Sequence, residues 1–256
     1  MKPGDRRHDI VEMLVETGSA SLDDLSRHFG VSKMTIHRDL DELEEEGLLR
    51  KVRGGATIEA SGRFESDYRY RTRVGVEDKR RIAARAAELV EPGASVLVDD
   101  GSTSAHLAGS LAARRPLTVI TNSHALIEGL TEAAGIEVIA LGGAYSRRFN
   151  GFFGMLTLAA LSNLRADVAL VSSSAVEGRT AYHQDLEVLE VKRRMMAAAA
   201  RSYLMVDPAK FGKTALHRMT DLTAFSGLVT TRAIGPEQSE KLAEQGIDLI
   251  FAKEQA

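Results

Sequence analysis

The stretch Leu97-Val98-Asp99-Asp100-Gly101-Ser102-Thr103-Ser104-Ala105-His106-Leu107 concentrates groups that could do chemistry. An apolar run ends in two carboxylates, and a glycine with three hydroxyl residues separates it from the next apolar period. Backbone N–H groups left open at such a turn, or at the start of the helix expected near Ala105, attract anions, phosphate above all. Gly101 lets the backbone approach a ligand closely. A plain strand-to-helix turn with a Ser/Thr cap has the same composition, so both readings stand at this point. Three more polar segments follow apolar runs: Thr121-Asn122-Ser123, Gly142-Gly143 and Ser172-Ser173-Ser174. If those runs are parallel strands, their ends line one crevice, where ligands bind. The ligand-binding candidates are therefore Asp99, Gly101, Ser102, Thr103, Ser104, Thr121, Asn122, Gly142 and Gly143. Neither a G-x-x-x-x-G-K-[ST] loop nor a G-x-G-x-x-G fingerprint is present, so no nucleotide cofactor is expected.

A second constellation lies near the N-terminus. Ser32 is placed to cap a helix whose apolar stripe is Ile36, Leu40 and Leu43, at i, i+4 and i+7. That stripe leaves Lys33, Met34, Thr35, His37 and Arg38 free near the helix start, the part of a recognition helix that reaches base edges. Lys and Arg can bond guanine, while Thr and Met can touch thymine methyls. Arg50, Lys51 and Arg53 would meet phosphates from a following hairpin turned at Gly54-Gly55. Residues 1–60 hold nine basic against thirteen acidic side chains, which does not favour DNA as a whole. Five of the acids, however, fall in Asp41–Glu46, at the far end of that helix. Small three-helix units also serve as protein-interaction modules.

The elements that must position these groups follow from periodicity. Ile10, Met13, Leu14 and Thr17 mark a first helix ended by Gly18, and Leu22, Leu25 and Phe29 mark a second, capped by Ser21. With the Ser32 helix, stopped at Gly47, and strands over 48–52 and 56–60, residues 1–60 read as a winged helix-turn-helix. Residues 61–81 have few aliphatics and read as a linker, docked in part through Phe64, Tyr68 and Tyr70. From 82 to 256, strands are predicted over 95–99, 117–120, 136–141, 167–172, 203–206, 227–231 and 247–251, with helices between most of them. This alternation predicts an α/β domain with an open, mainly parallel sheet.

Composition narrows the rest. A chain of 256 residues suits two domains, and 44% hydrophobic with 27% charged residues is ordinary for a globular protein. The absence of Cys excludes a disulfide framework, a zinc ribbon and a thiol nucleophile, and no metal is expected. No apolar run approaches the ~20 residues a bilayer span needs. With no signal peptide visible, a cytoplasmic protein with no membrane partner is expected.

The segment SKMTIHRDLDELEEEGLLRKVRGGA (32–56) resembles the helix-turn-helix signature of the DeoR family of bacterial transcriptional regulators, S-x-x-T-[IV]-[RH]-R-D-L then G-x-[LI]-x-[RK]-x-x-G-G-A. His37 stands where that signature usually has Arg, and Asp39 is read as an internal partner for an arginine. Asp99, Gly101, Ser102 and Thr103 match the family's D-x-G-[ST]-T, and Thr121-Asn122 and Gly142-Gly143 match two later pairs. Gly154 and Thr157, Lys192 and Arg193, and Val206, Asp207, Lys210, Phe211 and Gly212 match further positions. The resemblance implies a sensor fold related to ribose-5-phosphate isomerase. It also implies a repressor of a carbohydrate-metabolism operon whose affinity for a double-stranded operator is set by a phosphorylated sugar or related metabolite. Lys210 would be a second cation for that effector. Asp185, in a region where the family varies, either contributes to effector choice or simply caps a helix. Ala209 in place of the common Ser removes one hydroxyl, and Ser172–Gly178 replaces a more Gly-rich turn. Paired half-sites further suggest a homo-oligomer. The alternative is a sugar-phosphate isomerase with an N-terminal extension, its base drawn from Asp99, Asp185 or Glu187 and its electrostatic partner from Lys192 or Lys210.

Overall fold

The computed structural model describes residues 2–59 and 67–253. It divides into two compact units, Met1–Val74 and Gly75–Ala256.

In the first unit, helix α1 (Pro3–Thr17) is followed by strand β1 (Ser19–Ser21), helices α2 (Leu22–Phe29) and α3 (Lys33–Glu45), strands β2 (Arg50–Val52) and β3 (Gly55–Thr57), and helix α4 (Tyr68–Arg73). Ser21 and Ser32 cap α2 and α3 by accepting from the N–H groups of Asp24 and Thr35, at 3.1 and 3.2 Å. The apolar faces of the three helices close one core: Ile10 and Leu14 from α1, Leu25 from α2, and Ile36, Leu40 and Leu43 from α3. The wing is a three-stranded antiparallel sheet in the order β1-β3-β2. Strand β1 is not evident in the sequence, because three residues show no usable alternation. Gly55 is required where β3 crosses β1: a Cβ there would overlap the Ala20 carbonyl and lie 2.9 Å from the Ser21 Cα. Strand β3 ends at Thr57, short of the expected Ala60, which lies outside the described residues.

The stretch read as a linker over 61–81 is in large part helical. Asp67 caps α4, which packs against α1, and Arg69 pairs with Glu12. Gly75, at φ 62°, then opens helix α5 (Val76–Ala87) of the second unit. Short basic helices show little apolar periodicity, which hides them from a pattern search. The expected docking of Phe64 lies outside the described residues.

The second unit continues through β4 (Ser95–Val98), α6 (Leu107–Ala112), β5 (Leu117–Thr121), α7 (His124–Leu130), β6 (Ile136–Ala140), β7 (Ala144–Ser146) and β8 (Gly151–Phe153). Then come α8 (Met155–Ser162), β9 (Ala166–Ser172), β10 (Ala175–Glu177), β11 (Thr180–His183), α9 (Leu186–Ala198), β12 (Ala199–Met205), β13 (His217–Asp221), β14 (Gly227–Thr230), α10 (Pro236–Glu244) and β15 (Leu249–Phe251). Seven of these strands, those expected from the sequence, form one parallel sheet in the order β15-β14-β12-β9-β4-β5-β6. Alternate side chains feed two cores. Val96, Val98, Val119 and Leu170 pack with α5, α6 and α7, while Leu97, Ile120, Ala169 and Val171 pack with α8, α9 and α10. A hairpin of β7 and β8 and a small antiparallel sheet in the order β10-β11-β13 stand beyond the strands' C-terminal ends. These short, turn-rich pieces are missing from the strands expected from the sequence. The chain winds outward from β4 through β5 and β6, then returns to β9 on β4's other side. The switch point therefore lies between β4 and β9, where an open α/β sheet forms its ligand crevice.

Candidate functional site

Helix α3 presents its expected surface. Ile36, Leu40 and Leu43 are buried, Lys33, Met34 and Arg38 are exposed, and Thr35 and His37 are half-buried. Met34 is 63% exposed, a large apolar side chain held out on the helix start. The Ser32 hydroxyl is committed to the cap and lies 3.0 Å from the Thr35 hydroxyl. Lys33 is paired with Asp23 across the turn between α2 and α3. Asp39 is buried and accepts from Arg6 Nε at 2.6 Å and from a second guanidinium nitrogen at 3.1 Å, the internal partnership expected of it. On the wing, Arg53 is exposed at the turn and Arg50 is half-buried. Lys51, expected to meet phosphates, is tied to Asp41 by its ammonium and to Glu44 by its backbone N–H at 2.7 Å. The acidic end of α3 thus holds part of the wing's positive charge.

At the switch point Asp99 is fully buried and both its oxygens are taken. Oδ1 accepts from Gly101 N at 3.0 Å and from the Ser104 hydroxyl. Oδ2 accepts from Ser172 N at 2.5 Å, Ser172 Oγ at 3.0 Å and Lys192 Nζ at 2.5 Å. Lys192, on the apolar face of α9, is itself buried and lies 3.1 Å from Asp100. Burial alone would raise the Asp99 carboxyl, but Lys192 and the surrounding donors hold it below the usual aspartate range. Burial alone would lower Lys192, but Asp100 and Asp99 hold it above the usual lysine range. The pair is charged and closed. Asp99 has no oxygen left for a sugar hydroxyl, and Ser104 spends its hydroxyl on Asp99.

What remains open is the turn itself. Among the described residues, no protein acceptor is recorded for the N–H groups of Ser102, Thr103 and Ser104, nor a partner for the hydroxyls of Ser102 and Thr103. Three successive N–H groups at a turn form an anion-binding nest. Asp99 sets the turn from behind, and Gly101 is essential to it: a Cβ there would overlap the Ser172 hydroxyl. The helix expected to begin at Ala105 is a 3-10 turn over Ser104–His106, followed by the six residues of α6. Its dipole adds little, and the nest must rest on the local N–H groups. The His106 ring packs near α5. Burial, then Lys79 and Arg80, keep it below the usual histidine range.

The other candidates divide in the same way. Thr121 is buried and donates to the Val98 carbonyl at 2.6 Å, fixing β5 to β4. Asn122 donates to the Phe152 carbonyl at 3.1 Å, and its Oδ1 is buried without a partner. Gly143 sits against the Phe153 carbonyl and Thr157, whose hydroxyl donates to the Gly142 carbonyl at 2.7 Å. Asp185 caps α9, accepting from Glu187 N at 2.9 Å and Val188 N at 3.1 Å, so of its two readings the cap is the one visible. Lys210, in a 3-10 turn after β12, is half-buried; its backbone N–H donates to the Asp207 carbonyl at 3.0 Å, and its ammonium has no partner among the described residues. Lys192 is absent from the ligand-binding candidates drawn from strand ends, although a lone lysine among Val188, Leu189, Val191 and Met195 signals a buried partner. Among the described residues no group of three or more His, Asp or Glu is placed to hold a metal ion. No helix among them is long and apolar enough to cross a membrane.

Two family models match the chain. A DeoR-like helix-turn-helix domain covers residues 6–61, and a DeoR C-terminal sensor domain covers residues 75–232. The L-fucose operon activator of Haemophilus influenzae is 32% identical over 92% of this chain and 94% of its own length. The glycerol-3-phosphate regulon repressor of Escherichia coli is 29% identical over 90% and 91%. Ribose 5-phosphate isomerase A from Neisseria gonorrhoeae aligns over 52% of each chain at 16% identity, with a TM-score of 0.38.

Proposed function

This chain belongs to the DeoR family of transcriptional regulators, and from that premise we propose that it represses a carbohydrate-metabolism operon under the control of a phosphorylated sugar or related metabolite. The observation that carries the effector class is the open nest at Ser102–Ser104, backed by a buried and neutralised carboxylate at the switch point. A phosphate would accept from its three N–H groups and from the Ser102 and Thr103 hydroxyls. Lys210 supplies a second positive group, and the unpartnered Asn122 Oδ1 an acceptor for a sugar hydroxyl. The names of two relatives, an L-fucose operon activator and a glycerol-3-phosphate regulon repressor, support the carbohydrate setting.

The first unit reads DNA through Met34, Thr35, His37 and Arg38 on α3, with Lys33 at the helix start and Arg50, Lys51 and Arg53 on the wing. One such head covers a single half-site, so the working form is a homo-oligomer in the cytoplasm, where its operator lies. Of the three bases an isomerase could draw on, Asp99 is saturated and Asp185 caps α9, which leaves Glu187 alone. A ligand shifts DNA affinity only by its differential affinity for two arrangements of the protein, typically about 1–3 kcal/mol.

The test is a thermal-shift screen of phosphorylated sugars on the full chain, followed by operator binding with and without each hit. A hit that raises the melting temperature and changes operator affinity is expected. If no phosphorylated sugar raises the melting temperature and the unphosphorylated sugars do, the effector class is wrong.

A further inference from the structure

Two exposed side chains of unlike chemistry stand on one line of helix α3. Met34 and Arg38 lie one helical turn apart, opposite the buried side set by Ile36, Leu40 and Leu43. Met34 is the most exposed large apolar side chain in the described part of the first unit, ahead of Val74 and Val52. It belongs neither to the core of that unit nor to the apolar side chains packed against it. Single exposed apolar side chains are ordinary, so its position must say what it does. Around it the helix start is already committed: Lys33 is paired with Asp23, and the Thr35 hydroxyl lies 3.0 Å from that of Ser32. Beyond Arg38 the exposed line turns acidic, at Asp41 and Glu45, and Asp41 holds Lys51. Carboxylates repel phosphates, so only the first two turns of α3 can sit deep against a duplex. On this line, Met34 and Arg38 are then the side chains that reach base edges.

The chemistry of each names its target. In the major groove, guanine offers two acceptors that a guanidinium can bond together, and thymine offers a C5 methyl group. A thioether donates no hydrogen bond and accepts one only weakly, so a hydrogen-bonding edge gives it little. Its flexible, polarizable chain suits an apolar contact. Four helical residues span ~6 Å, against ~3.4 Å for one base pair, so the two bases lie no more than about two base pairs apart. We propose that Met34 reads the C5 methyl of a thymine within about two base pairs of the guanine bonded by Arg38, once in each half of the operator. This rests on the assignment of α3 to DNA made above.

The experiment uses the duplex that the full chain enriches from a randomised DNA library. Each thymine is replaced in turn by uracil, which pairs with adenine in the same way and lacks only the methyl. Affinity is measured by fluorescence anisotropy for the parent, Met34→Ala and Arg38→Ala. For the parent, uracil at one thymine in a half-site should weaken binding about 4-fold, the worth of one buried methyl at ~0.8 kcal/mol. Met34→Ala should bind the thymine duplex at least as weakly as that and no longer distinguish uracil there. Met34→Leu, apolar and of similar volume, should keep the distinction, and Met34→Gln, similar in length but polar, should lose it. Met34 is exposed, so these variants should melt like the parent. If no uracil weakens the parent, if the same uracil weakens Met34→Ala equally, or if Met34→Ala binds the thymine duplex as the parent does, Met34 reads no methyl, while a loss in Arg38→Ala keeps α3 on DNA. A sensitive thymine far from the guanine that Arg38→Ala ceases to distinguish also overturns the proposal. If the library yields no enriched sequence, or Arg38→Ala too binds like the parent, the assignment of α3 and the proposal fall together.

Discussion

The DNA-reading unit and the sensor unit each contain a buried ion pair, and each pair serves the opposite kind of surface. In the first unit Arg6 and Asp39 meet inside so that α3 can hold Lys33, Met34 and Arg38 out to solvent. In the second, Asp99 and Lys192 meet beneath the crevice, and the group left for a ligand is a run of backbone N–H groups on the turn Asp99 holds. One unit reads with side chains, the other with a shaped backbone. Substitutions should therefore act differently in the two.

The largest effect is expected from Lys192→Met. It leaves Asp99 and Asp100 buried beside no ammonium, which should cost the sensor unit about 3–5 kcal/mol. Differential scanning calorimetry of the full chain should show the sensor transition lowered and the transition of the DNA-reading unit unmoved. An unchanged thermogram would mean the pair does not hold the crevice together.

Next comes the reading surface, where stability should stay and affinity should go. Arg38→Ala should cost about 1–3 kcal/mol of operator binding if it contacts a base, with little change in melting. Arg53→Ala should weaken binding to all sequences and make the salt slope shallower by about one phosphate contact. Lys51→Ala should do less, because Asp41 already holds that ammonium. Fluorescence anisotropy across a salt series separates the three, and equal slopes for all of them would remove the distinction between free and held cations.

A smaller effect is expected from pH. The Asp99 carboxyl is held below its usual range, so its contribution to stability is fully present above the unfolded value near 3.9 and is lost as pH falls through the lower folded value. Lys192 is held above its usual range, so its contribution is present below about 10.4 and is lost only at still higher pH. The sensor transition should be flat in this respect across neutral pH and fall on the acid side. A decline centred near pH 6 would point to another group.

The same contrast explains what could be read in the sequence. In the first unit, a stripe at i, i+4 and i+7 tells which side of α3 faces out, and a serine before it tells where the helix starts. Both are local, and both agree with the structure. The seven parallel strands were equally legible, because fully buried strands are apolar runs of the right length. The polar strand ends pointed to the crevice, but whether a given hydroxyl or carboxylate is free depends on partners far away in the chain. Lys192 lies 93 residues from Asp99, and nothing near Asp99 announces it. Thr121, Ser104 and Asp99 therefore looked like ligands and are held by the protein, while Ser102 and Thr103 remain open. The hairpin β7–β8 and the sheet β10-β11-β13 escaped because three- or four-residue strands have no period to detect.

The most direct test is Thr103→Glu in the full chain, with operator affinity measured with and without the phosphorylated ligand found by the screen. A carboxylate in the nest should repel and displace the phosphate. For a repressor released by its ligand, the variant should melt like the parent, bind the operator as tightly, and stop responding to ligand. A folded Thr103→Glu protein that binds the same ligand with unchanged affinity would show that the phosphate does not sit at residues 102–104.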